Sequence, residues 1–124
     1  MTPGASGSIL ADTSVWVDHV RRGNEDLAAA LDAGVVLVHD FILGELMIGA
    51  LARARVAMRD VESLPRAPRA SHEEVVTLVR THRLEGSGIG WIDAHLLASA
   101  MLRDARVLTL DKALVRAARR LRIA

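Results

Sequence analysis

Three aspartates leave short apolar runs in the same way: Asp12 after "ILA", Asp40 after "VVLVH" and Asp111 after "VLTL". Two more acids sit inside apolar helical patterns, Glu45 in "FILGELMIGAL" and Asp93 in "GIGWIDAHLLASA". An aspartate at a strand exit has two uses. It caps the helix that follows, which is worth about 1 kcal/mol. Alternatively it stands in the crevice outside the carboxyl ends of a parallel sheet, where such folds bind ligands. Glu45, flanked by Ile42, Leu43, Leu46 and Met47, is expected to run near the core and so to need a partner or a cation. Asp93 reads either as an N-terminal acid favoured by the helix dipole or as a member of one converging cluster.

Carboxylates drawn together repel, at about 3 kcal/mol per pair for a separation of ~5 Å and an effective dielectric near ~20. A divalent cation is the simplest remedy. The chain has no cysteine, which removes disulfides, thiolate zinc sites and cysteine nucleophiles. Without a histidine pair at metal spacing the candidate donors are hard oxygens, which select Mg²⁺ or Mn²⁺ over zinc. Such an ion keeps several waters and takes phosphate oxygens readily, so the cluster points to phosphoryl chemistry.

The elements that must position these acids alternate between short apolar runs and longer helical periods, the pattern of a parallel α/β sheet covered by helices. Strands are expected at Ser8 to Ala11, Val35 to His39 and Arg106 to Leu110, with Leu121 to Ala124 a possible fourth. Helices are expected over 13–22, 25–33, 41–52, 54–63, 72–84, 92–104 and 112–120. Ser71 with Glu74 forms a capping box, Gly34 ends the second helix, and "LPRAPRA" and "EGSGIG" are connectors. The 124 residues make one domain, with residues 1–7 expected to be a flexible start. No apolar run is long enough to span a bilayer and no secretory signal opens the chain, so a cytoplasmic protein is expected.

"DTS" after the first strand, then "GELMIG", then "GIGWIDAHLLASA", then "LTLDKAL" resembles the PIN domain of VapC-type toxins, the ribonucleases of toxin–antitoxin pairs. The resemblance runs from about residue 8 to residue 123. It implies a PIN-like three-layer α/β/α fold, a small mainly parallel sheet of about four strands with about seven helices. It also implies that Asp12, Glu45, Asp93 and Asp111 bind Mg²⁺ or Mn²⁺, with Thr13 or Ser14 assisting at the first and Thr109 near the fourth. The implied activity is hydrolysis of single-stranded RNA, often in a tRNA or ribosomal RNA loop, leaving a 5′ phosphate and a 3′ hydroxyl. Homodimerisation is implied too. So is a cognate antitoxin, docked on an apolar groove for which Leu46 to Met58 has the surplus apolar character. Asp40 has no counterpart in that pattern and returns to the capping role.

All but one of the 16 basic residues are arginine, and the net charge is +1, so the overall balance neither demands nor excludes a polyanion. Arg116, Arg119 and Arg120 share one face of the last helix, either as solvated charge or as an RNA track. Lys112 either holds a phosphate or faces water. Trp91 is bulky enough to plug the core, and His95 falls on a different helix face from Asp93. Two other functions compete. A catalytically inactive PIN-like module that only binds RNA or protein is expected to have lost acids, and all four are present. A receiver-type phosphoacceptor domain is expected to carry an acidic pair at the first strand, where only Asp12 occurs.

Overall fold

The structure is a computed structural model and describes residues 7–124, so the expected flexible start lies outside the described residues except for Gly7. Three short parallel strands form the sheet: β1 (Ile9–Ala11), β2 (Val36–Leu37) and β3 (Arg106–Leu108), in the order β2-β1-β3. Leu10 pairs with Leu37 on one side and Val107 on the other. Leu10 and Ala11 are fully buried, as a central parallel strand covered on both faces must be. The sheet edge at which β1 and β3 end therefore opens directly onto Asp12 and Thr109.

Seven helices accompany the strands among the described residues. They are α1 (Thr13–Arg22), α2 (Glu25–Asp32), α3 (Asp40–Ile48), α4 (Arg55–Glu62), α5 (His72–Thr81), α6 (Trp91–Leu102) and α7 (Lys112–Arg120). Every residue from Ala94 to Ala100 is buried, so α6 is a central helix, apolar over most of its surface apart from His95 and Ser99. Its Leu96 and Leu97 are among the largest fully buried side chains, each contributing about 1.5–3 kcal/mol. By contrast α7 buries Leu114, Ala117 and Ala118 and turns Lys112, Arg116, Arg119 and Arg120 to solvent. No helix is long and apolar enough to cross a membrane among the described residues.

Several expected boundaries moved, each for a local reason. The third helix stops at Ile48 because Gly49 leaves helical geometry at ψ −106° while its N–H still bonds the Glu45 carbonyl. The fifth and sixth end early where Arg83 and Asp104 take positive φ, the left-handed turn that terminates a helix. Leu121 to Ala124 is not a strand. Arg122 at φ 61° folds the chain back, and the segment meets β3 through one backbone bond, the Ile123 carbonyl accepting from the Val107 N–H, and one side-chain bond, from Arg106 Nε to the Ala124 carbonyl. At the opposite edge of the sheet Val38 makes a lone parallel bridge to Arg66, within the expected connector. The Ser71–Glu74 capping box is present, and Gly34 takes φ +70° just past α2.

Candidate active site

Asp12 leaves β1 with its N–H bonded to the Leu108 carbonyl of β3, which sets the direction of its side chain. The carboxylate is buried and fully engaged. Ser14 Oγ and the Val15 N–H donate to Oδ1, and Thr109 Oγ1 donates to Oδ2 at 2.7 Å. Ser14 Oγ in turn accepts from the Leu110 N–H at 3.0 Å, and Thr109 Oγ1 accepts from the Asp111 N–H at 3.0 Å. The first turn of α1 and the segment after β3 are thus stitched together through one carboxylate. Capping and site-building are not alternatives here, because Asp12 is itself the N-cap of α1.

Asp93 repeats the arrangement on α6. Its Oδ2 accepts from the Gly90 N–H at 2.9 Å, closing the first turn from within. Asp111 caps α7, with Oδ1 accepting from the Leu114 N–H at 3.0 Å. Three helix N-termini therefore converge on this corner, and their partial positive charge offsets part of the repulsion among the acids. Burial and the remaining repulsion still act on Asp93. Burial raises the Asp93 carboxyl above its usual range, the Gly90 hydrogen bond works against this, and the charges of Asp12 and Asp111 raise it further.

Asp12, Glu45 and Asp93 line a single pocket of about 150 Å³ together with Thr13, backed by Ile42 and Leu96. Asp111 stands beside that pocket, exposed, and acts on Asp93 through its charge. Glu45 does not run near the core as its apolar neighbours led us to expect. It is exposed, and so needs neither a partner nor a cation for solvation. The reason is that α3 is apolar nearly all round and sends part of that surface outward, with Met47 55% and Ile48 85% exposed.

Among the described residues, no three Asp, Glu or His side chains gather closely enough to enclose a metal ion between them. The donor set nonetheless fits a hard divalent cation. Mg²⁺ is commonly held by one or two carboxylates with waters completing its octahedron. Thr13 Oγ1 in the same pocket is buried without a hydrogen-bond partner, an unused oxygen at the place where a bound water or ion would sit. Of the two hydroxyls expected to assist, Ser14 is the one that holds Asp12.

Asp40 is not a cap. His39 fills that position, its Nδ1 accepting from the Phe41 N–H at 3.0 Å, while Asp40 pairs with Arg66 at 3.2 Å and Arg69 at 3.7 Å. Trp91 does not plug the core either, being 45% exposed at the start of α6. It belongs to a chain of rings that the sequence did not disclose: His39, Phe41, His95, Trp91 and His72 follow one another at centroid distances of 4.7 to 5.2 Å. His95 points into that chain and away from the acids, as its spacing from Asp93 implied.

The PIN domain family model matches residues 9–120, from the first strand to the end of α7. The chain belongs to the PIN-domain family. Within it, the chain is similar to Ribonuclease VapC32 of Mycobacterium tuberculosis, in strains CDC 1551 and H37Rv. Each is 37% identical over 107 residues, covering 86% of this chain and 86% of the relative. The PIN match spans all four acids, and the receiver-type alternative falls with it.

Proposed function

We propose that this PIN domain is the endoribonuclease toxin of a type II toxin–antitoxin system, acting in the cytoplasm on a tRNA or ribosomal RNA loop. The observation that carries this reading is the pocket shared by Asp12, Glu45 and Asp93 at the edge where β1 and β3 end, in a relative of a named ribonuclease. Asp12 and Asp93 would hold Mg²⁺ or Mn²⁺, with Glu45 and Asp111 completing the acidic surround. That ion would supply an activated water and stabilise charge on the phosphodiester. Ser14 and Thr109 keep the Asp12 carboxylate oriented, and the three helix N-termini keep the site from expelling its own charges. Lys112, Arg116, Arg119 and Arg120, all exposed on α7, draw the RNA backbone toward the corner.

For partners, the reading includes a second copy of the chain and a cognate antitoxin. Met47, Ile48 and Val56 are 55%, 85% and 72% exposed within the stretch that we read as the antitoxin groove. An adjoining groove of about 300 Å³ runs between α1 and α4, lined by Trp16, Val20, Leu51 and Val61. An apolar helix of a partner fits such a surface.

The deciding experiment expresses the protein in cells and maps new RNA 5′ ends, then repeats cleavage with purified protein in Mg²⁺, Mn²⁺ or EDTA. Growth arrest and cleavage at discrete loop positions are expected, dependent on the metal and lost in Asp12→Asn and Asp93→Asn. Full cleavage by both folded variants, or cleavage indifferent to EDTA, sinks the assignment.

A further inference from the structure

Trp91 opens α6 two residues ahead of Asp93 and is held in place without being buried. His95 meets the indole edge-on at 5.0 Å, and His72 approaches at 5.2 Å. Phe41 braces His95 from behind at 5.0 Å. The same Trp91 lines a cavity of about 180 Å³ with Leu84, Glu85, Gly86, Ile89 and Gly90. Gly90 belongs to both places, since its N–H also holds Asp93. The cavity and the acid pocket are therefore neighbours across one residue.

The turn that walls this cavity is fixed against the basic helix. A Cβ on Gly88, whose φ is +89°, would meet Ala113 of α7 at 3.3 Å. Arg120 of α7 donates to the His82 carbonyl at the start of the turn, at 2.6 Å. Exposed Lys112 and Arg116 flank Ala113 on the same helix. A mostly apolar recess with an exposed indole on its wall, acids to one side and cations to the other, matches a nucleotide in its parts. The base is flat and apolar on its faces, and the phosphates are anionic.

We propose that this recess seats an unpaired nucleobase of the RNA adjacent to the scissile phosphate, with Trp91 as its stacking surface. The inference rests on the ribonuclease reading above and names the subsite that reading lacks. Cations on α7 complement the flanking phosphates, and the Glu85 carboxylate on the rim offers acceptor oxygens to an amino-bearing base edge. Base–aromatic stacking tolerates any sequence, so Trp91 supplies affinity and positioning, while other contacts choose the sequence.

The test compares wild type, Trp91→Phe and Trp91→Ala. Affinity for a short unstructured RNA oligonucleotide is measured in EDTA, and KM and kcat with metal present. Loss of one base stack weakens binding by about tenfold or more. Trp91→Ala is expected to raise both Kd and KM by that factor with kcat near wild type, because stacking holds ground and transition states alike. Trp91→Phe keeps a ring and stays near wild type. RNA should also quench the tryptophan emission of wild type and leave that of Trp91→Phe unchanged. If wild type cleaves RNA and Trp91→Ala binds it equally well, the subsite is wrong and the ribonuclease reading stands. If wild type neither binds nor cleaves RNA, both fall. If Trp91→Ala leaves RNA affinity unchanged but dissociates a dimer in sedimentation, the recess is an interface between copies and the proposal is overturned.

Discussion

Asp12 and Glu45 line the same pocket but are built in opposite ways. Asp12 is buried, and its two oxygens accept hydrogen bonds from the first turn of α1 and from Thr109 after β3. Glu45 is exposed on a helix whose outward surface is largely apolar. One acid is part of the frame and the other is an arm that the frame carries. A site assembled this way has its strictest geometry where the sheet ends and its freedom where the helix faces solvent.

The contrast breaks most sharply at Asp12. Asp12→Asn keeps the volume and removes the charge, and cleavage should fall by about 10³-fold or more, the scale of losing one charge-stabilising group from a site. Circular dichroism and RNA cleavage on the same sample check that the fold survives while the activity goes. Thr109→Val comes next. It removes the donor to Asp12 Oδ2 and the acceptor of the Asp111 N–H, so activity should drop about 10–100-fold, as for other groups that orient a ligand. Thermal unfolding should show a loss of about 1–3 kcal/mol from the groups left unsatisfied.

Glu45→Gln sharpens the comparison from the other side. An exposed acid contributes little to folding, so stability should stay within about 0.5 kcal/mol while cleavage falls. A stability loss as large as that of Thr109→Val would show that Glu45 also belongs to the frame. The smallest effect concerns a group near neither acid. Burial holds His39 below its ordinary value of 6.5, so below that pH the unfolded chain takes up a proton that the folded one refuses. Stability is therefore lost as pH falls from the unfolded value toward the folded one. In His39→Asn, which keeps a capping acceptor, urea midpoints should depend less steeply on pH across this window, with His95, also lowered by burial, contributing to the slope that remains.

The frame was legible in the sequence; of the arm, its place among the acids was legible and its exposure was not. β-branched and apolar runs ending in aspartate predict both the strands and the place of Asp12, because strand exits in a parallel sheet share one edge. Asp111 followed for the same reason, while Asp93 was read from its place at the start of a helix after a glycine turn. Glu45 misled because periodicity separates inside from outside only when the two faces differ, and "FILGELMI" has no polar face besides Glu45 itself. Trp91 misled differently: a large ring beside a glycine turn reads as core, yet the first residue of a helix faces whatever the turn leaves open. The ring chain draws on segments around residues 39–41, 72 and 91–95, and no local pattern links them. The supposed fourth strand failed on one backbone angle, that of Arg122, which composition does not encode.

Thr109, which donates to Asp12 Oδ2, lies 97 positions further along the chain, and the Leu110 N–H that holds Ser14 lies 96 positions beyond that serine. Contacts that distant close last, since the chain between them must first lose its freedom. Until then Asp12 has only its neighbours Ser14 and Val15 to hold it. The corner takes its final form only when β3 and the start of α7 arrive, so the first acid of the site waits for the last.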